Sequence, residues 1–469
     1  MTVEDIPGRT RLFRLNSYDL KDYGALSPAN NNTFGRNVMS RNDAVRGLFE
    51  LYEEDPERAD RLLFGRKTYA NRRGFLRGAG LATMTALVGA SIPFHRNIPA
   101  GFIPMALAQD ATIEGKDGLK VLNDRPLNAE TLPHFLDDAI TPTKNHFIRN
   151  NGIAPESFDA KGWKLIIDGL VDKPMELSID DLKKKFEVVT AALQIECGGN
   201  GRAFFDPPAK GNQWTYGAVA CSKWTGVRLG DVLKAAGIKD NVIYTAHVGA
   251  DTHASGEPGK LAISRGVPIE KAVQPQNLIA FAQNDGPIHP MNGAPLRLVI
   301  PGWPGSFSQK WLTRIWLRDV VHDGPKMTGA AYRLPPRPVA PGEKVDKKEM
   351  VFIEAMPVKS LITNPATGAN TKNKKIEVRG HAWVGDRTIK EVHISHDFGA
   401  TWQKAELDDP VNPYAWQNWR SEVTLPVAGY YEIWARATDE TGVSQPHAIA
   451  WNPKGYLNNS MHRVAVTLT

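Results

Sequence analysis

One stretch carries the densest chemistry in this 469-residue chain: Gln194-Ile195-Glu196-Cys197-Gly198-Gly199-Asn200-Gly201-Arg202. A cysteine leaves an apolar run and enters a glycine-rich turn, and an arginine follows. Glycines let the backbone approach a large ligand closely. A guanidinium and backbone amides nearby favour the thiolate form, and a soft thiolate suits a metal or a redox role. By residue type alone, a buried packing cysteine fits the same pattern. The only other cysteine is Cys221, so a disulfide framework and a four-cysteine zinc site are both excluded. No C-x-x-C-H occurs, so no c-type haem is attached here, and any redox electrons must leave through another protein.

The elements around that stretch must hold it in place. The apolar run 188–195 predicts a buried strand that delivers Cys197 at its end. Upstream, 163–167 predicts another strand, and Ser178 with Asp181 predicts the start of a short helix ending near Phe186. Residues 225–236 predict a helix stopped by Gly237, and 296–300 a buried strand closed by Pro301 and Gly302. Residues 109–160 carry Asn, Pro and Thr clusters and predict irregular structure. Short strands and helices joined by long loops predict an α+β domain over 109–335. Prolines and then lysines over 336–348 predict a linker. Beyond it the apolar period turns to two, at Ile376, Val378 and Gly380, at Val392, Ile394 and His396, and at Tyr431, Ile433, Ala435 and Ala437. With recurrent turn signals, this predicts an all-β, immunoglobulin-like sandwich over 349–469.

Length argues for two to four units rather than one core. The formal net charge of +6 is concentrated in the first 108 residues, and the rest has no dense basic block. A polyanion-binding surface needs clustered charge, so nucleic acid is not an expected partner.

Within that leader, Asn71-Arg72-Arg73-Gly74-Phe75-Leu76-Arg77 is a twin-arginine stretch. A weakly apolar run over 79–92 follows and is too short to span a bilayer, which takes about 20 residues. Ala106-Leu107-Ala108 supplies an A-x-A pattern. Together, 71–108 reads as a twin-arginine export signal to the periplasm, with no membrane span. Residues 1–70 are an extension of no assigned role, and Met39 offers an alternative start.

C-x-G-N-x-R after an apolar strand resembles the molybdenum-ligating loop of sulfite oxidases and their bacterial relatives. Asn145-His146-Phe147-Ile148-Arg149-Asn150 resembles the family's upstream loop. Gly211-Asn212-Gln213-Trp214 and Lys223-Trp224-Thr225-Gly226 fall where it has its active-site tryptophan and a W-x-G turn. The segment from Arg297 through Gly302 to Lys310-Trp311-Leu312 resembles the stretch gripping the cofactor. Trp451-Asn452-Pro453-Lys454-Gly455 and His462-Arg463-Val464 resemble the end of the dimerisation domain. These matches fall in order across roughly 120–469. Within the family, Gly199-Asn200-Gly201-Arg202 and Pro301-Gly302-Trp303-Pro304-Gly305-Ser306 point to the sulfane or sulfite dehydrogenase subunits of bacterial sulfur-oxidising (Sox) systems.

The resemblance implies a molybdopterin cofactor with one molybdenum per chain, held by Cys197. It implies that Arg149, Arg202 and Lys454 bind a sulfur oxyanion and that Trp214 walls the pocket. Phe147, Ile148, Arg149, Asn150, Asn151, Asp251, Asn292, Arg297, Ser308, Gln309 and Lys310 then fall at cofactor-binding positions. It also implies a c-type cytochrome as electron acceptor, and a homodimer or a heteromer with that cytochrome. Three departures alter the pocket: Lys454 stands where an arginine is usual, the family's tyrosine is replaced near Phe281 or Ala282, and Asn151 and Asn292 stand where histidines are common. A carrier-bound sulfur group therefore joins free sulfite as candidate substrate. The alternatives are a reductase acting on a sulfoxide and a non-catalytic assembly subunit.

Overall fold

The computed structural model describes residues 113–469. The twin-arginine segment, the run after it and the extension before it lie outside the described residues. Among the described residues no helix is long and apolar enough to cross a membrane.

Two sheets build the N-terminal half. In one, Val188–Glu196, Val219–Arg228 and Leu278–Gln283 lie side by side, with Gly286–Pro287 and Arg297–Val299 both pairing to Leu278–Gln283. The other runs Met175–Ser178, Lys164–Gly169, Leu312–Arg318, Tyr244–Gly249, Ser264–Arg265. Within it only Lys164–Gly169 and Leu312–Arg318 pair in parallel. A core joins the two sheets to the helices Ile179–Lys185 and Leu229–Ala236, through Leu165, Ile167, Leu182, Val232, Leu298 and Ile315.

Helix Ile179–Lys185 begins where the sequence predicts, because Ser178 and Asp181 cap each other reciprocally. Three expectations are corrected. The predicted helix at 225–236 starts only at Leu229, and Thr225 to Arg228 continue a strand. Thr225 and Val227 are β-branched, and they pair with neighbouring strands on both sides, a tertiary gain that outweighs local helix preference. The stretch 109–160 is not irregular throughout: Leu119–Asp124 and Leu127–Thr131 form an antiparallel hairpin. The strand delivering Cys197 is buried only in its second half, and Val188 is 45% exposed.

The C-terminal half is β-rich. Lys359–Asn364, Lys375–Trp383, Gln417–Thr424 and Glu406–Leu407 form one sheet. Ala369–Thr371, His462–Leu468, Gly429–Asp439, Ile389–Ser395 and Gln403–Lys404 form the other. Ile362, Val378 and Trp419 from the first meet Val392, Ile433 and Val464 from the second in one core, as the two-residue period requires. The proline-rich stretch between the halves is closed by Arg333–Leu334 pairing with Val351–Phe352.

Candidate functional site

Cys197 sits one residue beyond the strand Val188–Glu196, its N–H still donating across the ladder to Ala218 O at 2.9 Å. The chain then turns sharply: Asn200 N–H donates to Cys197 O at 2.8 Å, and Gly201 takes φ +88°. That left-handed residue is a glycine for two reasons. A Cβ there would be strained, and it would lie 2.7 Å from Asn458, whose amide donates to Gly201 O. Gly199 leaves room for a guanidinium, because a Cβ on it would lie 2.3 Å from Arg202 Nη2.

The thiol faces a cleft of about 600 Å³. Phe147, Arg149, Asn151, Asp251, Asn292, Arg297, Ser308, Gln309 and Lys310, all singled out from the sequence, line it together with Cys197. These residues come from five separate stretches of loop and strand end, so the fold alone assembles them.

The electrostatics of the cleft are lopsided. Lys310 is buried, and burial together with Arg297 holds its ammonium well below the usual lysine range. Its Nζ donates to Asn150 Oδ1 and, at 2.7 Å, to Met291 O. Burial pushes Arg297 down to about 9; its Nη1 donates to Asn292 O at 2.8 Å. Behind them lies Lys116, pushed down to about 7 by burial and by Arg297, with Nζ donating to Asn292 Oδ1 at 2.5 Å, Thr143 O and His146 O. Among the described residues, Asp251 is the one carboxylate in the lining, and burial raises it to about 6. Buried cations without carboxylates are costly unless an anion meets them. Three atoms repeat the point: Arg149 Nε, Arg297 Nε and Gln309 Oε1 are buried without a hydrogen-bond partner among the described residues. The donor set therefore fits a large anionic ligand that offers both donors and acceptors, with a thiolate at one end.

Residues 151–326 match the family described as oxidoreductase molybdopterin binding domain, and 350–469 match the Mo-co oxidoreductase dimerisation domain. Mitochondrial sulfite oxidase of Drosophila melanogaster is 33% identical over 75% of this chain and 63% of its own length. The human mitochondrial sulfite oxidase is 32% identical over 74% of this chain and 65% of its own length. The chain belongs to the sulfite oxidase family of molybdopterin oxidoreductases. It spans less than two thirds of the length of these two curated relatives. The sulfane dehydrogenase SoxCD of Paracoccus pantotrophus shares its fold, with a TM-score of 0.63 and 24% identity over 87% of this chain and 99% of that one.

Other residues that the resemblance to sulfite oxidases singles out lie around the cleft rather than on its lining. Arg202 is buried beside the turn, its Nε and Nη1 donating at 3.0 Å to Lys454 O and Asn212 O. Trp214 is buried edge-on against Phe147, with ring centres 6.4 Å apart, and so backs the wall rather than forming it. Ile148 pairs its backbone with Ala129, and Asn150 holds Lys310. Lys454 offers its carbonyl to Arg202.

Three residues of the site, Tyr332, His146 and Lys116, lie outside the site residues expected from the sequence. Tyr332 lines the cleft, its hydroxyl 3.2 Å from Arg149 Nη2. It comes from the loop after Leu312–Arg318, where no periodic pattern marks it. Phe281, one of the two positions compared with the family's tyrosine, lies under Lys183 Nζ on the helix side of its strand. His146 also lines the cleft and is neutral, held well below the histidine range by burial and then by Lys116. Lys116 itself was readable only as one charge in a polar stretch.

Among the described residues no cluster of three or more His, Cys, Asp or Glu side chains could hold a metal alone. Cys221 is fully buried and its thiol is pushed up to about 12, which suits packing. His247 is buried against Thr245, its Nε2 at 2.9 Å from Thr245 Oγ1.

Proposed function

We propose that this chain is a molybdenum-dependent sulfite or sulfane dehydrogenase, exported to the periplasm, that passes electrons to a c-type cytochrome. The observation that carries this reading is the joint placement of Cys197 and Arg149 on one cleft whose far wall is cationic.

Cys197 would supply the protein's one thiolate to the metal. Arg297, Lys310 and Lys116 would neutralise the cofactor's phosphate, while Gln309, Ser308, Asn292 and the 147–151 backbone would hold its polar edges. When bound, the molybdopterin centre supplies oxygen-atom transfer to sulfur and a two-electron sink. Arg149 binds the sulfur oxyanion: its guanidinium fork matches the anion's geometry and stays charged. Tyr332 limits the rotation of that fork. Arg202, fixed by two backbone carbonyls, adds positive potential behind the turn. Phe147, backed by Trp214, keeps the thiol side apolar.

Export through the twin-arginine route rests on Arg72-Arg73 and Ala106-Leu107-Ala108. A homodimer formed through an immunoglobulin-like C-terminal domain is supported by the match of 350–469 to the dimerisation family. A small neutral sulfoxide would not call for Arg149 in such a field, which weighs against a reductase.

The test is sulfite-dependent reduction of a c-type cytochrome by molybdenum-loaded protein, with Cys197→Ser alongside. Turnover lost in the variant supports the assignment. No turnover at full molybdenum content rejects free sulfite with that acceptor and turns attention to carrier-bound sulfur.

A further inference from the structure

Strand alternation sends the two residues at the end of Val188–Glu196 in different directions. Ile195 and Leu193 pack into the core that contains Cys197. Ala192 packs instead against Leu361, Trp383 and Trp416 of the C-terminal half, and Glu196 follows that face. Its carboxylate is 2% exposed and fully engaged. Lys359 Nζ donates to Oε1 at 2.6 Å, Trp383 Nε1 to Oε2 at 2.9 Å, and Asn200 Nδ2 to Oε1 at 3.0 Å. Lys359 and Trp383 face each other on adjoining strands of the C-terminal sheet. Asn200 closes the loop, its Oδ1 accepting from Ala218 N–H at 3.1 Å and its own N–H donating to Cys197 O. The C-terminal half thus grips the residue next to Cys197 through a buried ion pair.

We propose that Lys359 and Trp383 are positioning residues for Cys197: by neutralising and fixing Glu196 they set the orientation of the Cys197 turn and the reduction potential of the metal its thiolate holds. This rests on the functional reading above and gives the C-terminal half a role beyond dimerisation. The physical reason is charge. In a low-dielectric interior a carboxylate one residue from a thiolate is felt strongly. Left without Lys359, it adds negative charge beside the metal and makes reduction harder; a lysine left without Glu196 does the opposite. Groups that orient a metal ligand change affinity or activity by about 10- to 100-fold when removed.

The experiment uses the full chain, loaded with cofactor, as Lys359→Met, Glu196→Gln, the double variant and Lys359→Arg. Molybdenum content is measured first, then the midpoint potential by redox titration followed through the Mo(V) paramagnetic signal. The potential is expected to fall in Lys359→Met, rise in Glu196→Gln, return close to wild type in the double variant and stay in Lys359→Arg. Breaking one partner of a buried pair is strongly destabilising, whereas removing both is tolerated. If Lys359→Met does not fold, the other three variants still decide. Single variants that move the potential in the same direction, or leave it unmoved at full molybdenum content, overturn the proposal. Wild-type protein made in a cofactor-competent host and containing no molybdenum overturns the functional reading itself, before any variant is compared.

Discussion

Arg149 donates from Nη2 to the hydroxyl of Tyr332 at 3.2 Å, and both side chains line the cleft that Cys197 faces. The phenol is itself held: its ring stacks on Tyr456 with centres 5.5 Å apart, and the Arg265 guanidinium lies 4.5 Å from its centre on a face. A buried, stacked tyrosine therefore sets where the Arg149 fork points.

Removing only that hydroxyl tests the relationship. Tyr332→Phe keeps both stacks and frees the fork, so KM for an anionic substrate should rise about tenfold, the factor matching ~1.4 kcal/mol, with kcat changed less. Steady-state kinetics across substrate concentration decide it. An unchanged KM would show that Arg149 is oriented by something else.

The cationic wall makes a prediction about stability with the cofactor absent. Arg297 is buried and, among the described residues, has no carboxylate partner and an unpartnered Nε. Arg297→Met should raise the Tm of the cofactor-free protein while cutting retained molybdenum by about tenfold or more. Calorimetry and metal analysis of the same preparations give both numbers. A lower Tm would mean that the hydrogen bond to Asn292 O outweighs the burial of the charge.

Lys116 carries a pH signature. Burial, with Arg297 adding to it, holds its folded-state pKa at about 7, against the ordinary lysine value of 10.5. Between those values the unfolded chain binds the proton that the folded chain does not, so this residue's contribution to stability rises with pH through the window. The slope approaches about 1.4 kcal/mol per pH unit. The contribution is complete above the unfolded value and is lost as pH falls through about 7. In the cofactor-free protein, wild type should gain stability relative to Lys116→Met from pH 7 to 10 by denaturant titration. Parallel curves would contradict the burial of this ammonium.

Two adjacent glycines of the Cys197 turn should behave differently. A Cβ on Gly199 would meet Arg202 Nη2 at 2.3 Å and push the guanidinium off the carbonyls of Lys454 and Asn212. Gly199→Ala is expected to cost about 1–3 kcal/mol and to weaken substrate binding. A Cβ on Gly198 would find Pro304 at 3.4 Å, an ordinary contact, so Gly198→Ala should change little. Equal Tm values for the two variants would count against this account of the turn.

By itself the sequence determined the local and the periodic features. Cys197 at the end of an apolar run, the Ser178–Asp181 cap and the two-residue alternation of the C-terminal half are short-range patterns, and they appear as strand end, capping box and paired sheets. The family was legible for the same reason, since its motifs are short and ordered along the chain. Tertiary structure decided what depends on pairing across distance. Thr225 to Arg228 became strand because neighbours on both sides offered ladders. Tyr332 and Lys116 entered the site from stretches with no period, and Arg202 was spent on two carbonyls while Arg149 was left to face the cleft. Glu196 read as one more polar neighbour of the cysteine until the fold buried it against Lys359 and Trp383. Residue type states what a side chain can do; burial and the partner across the fold decide which of those things it does.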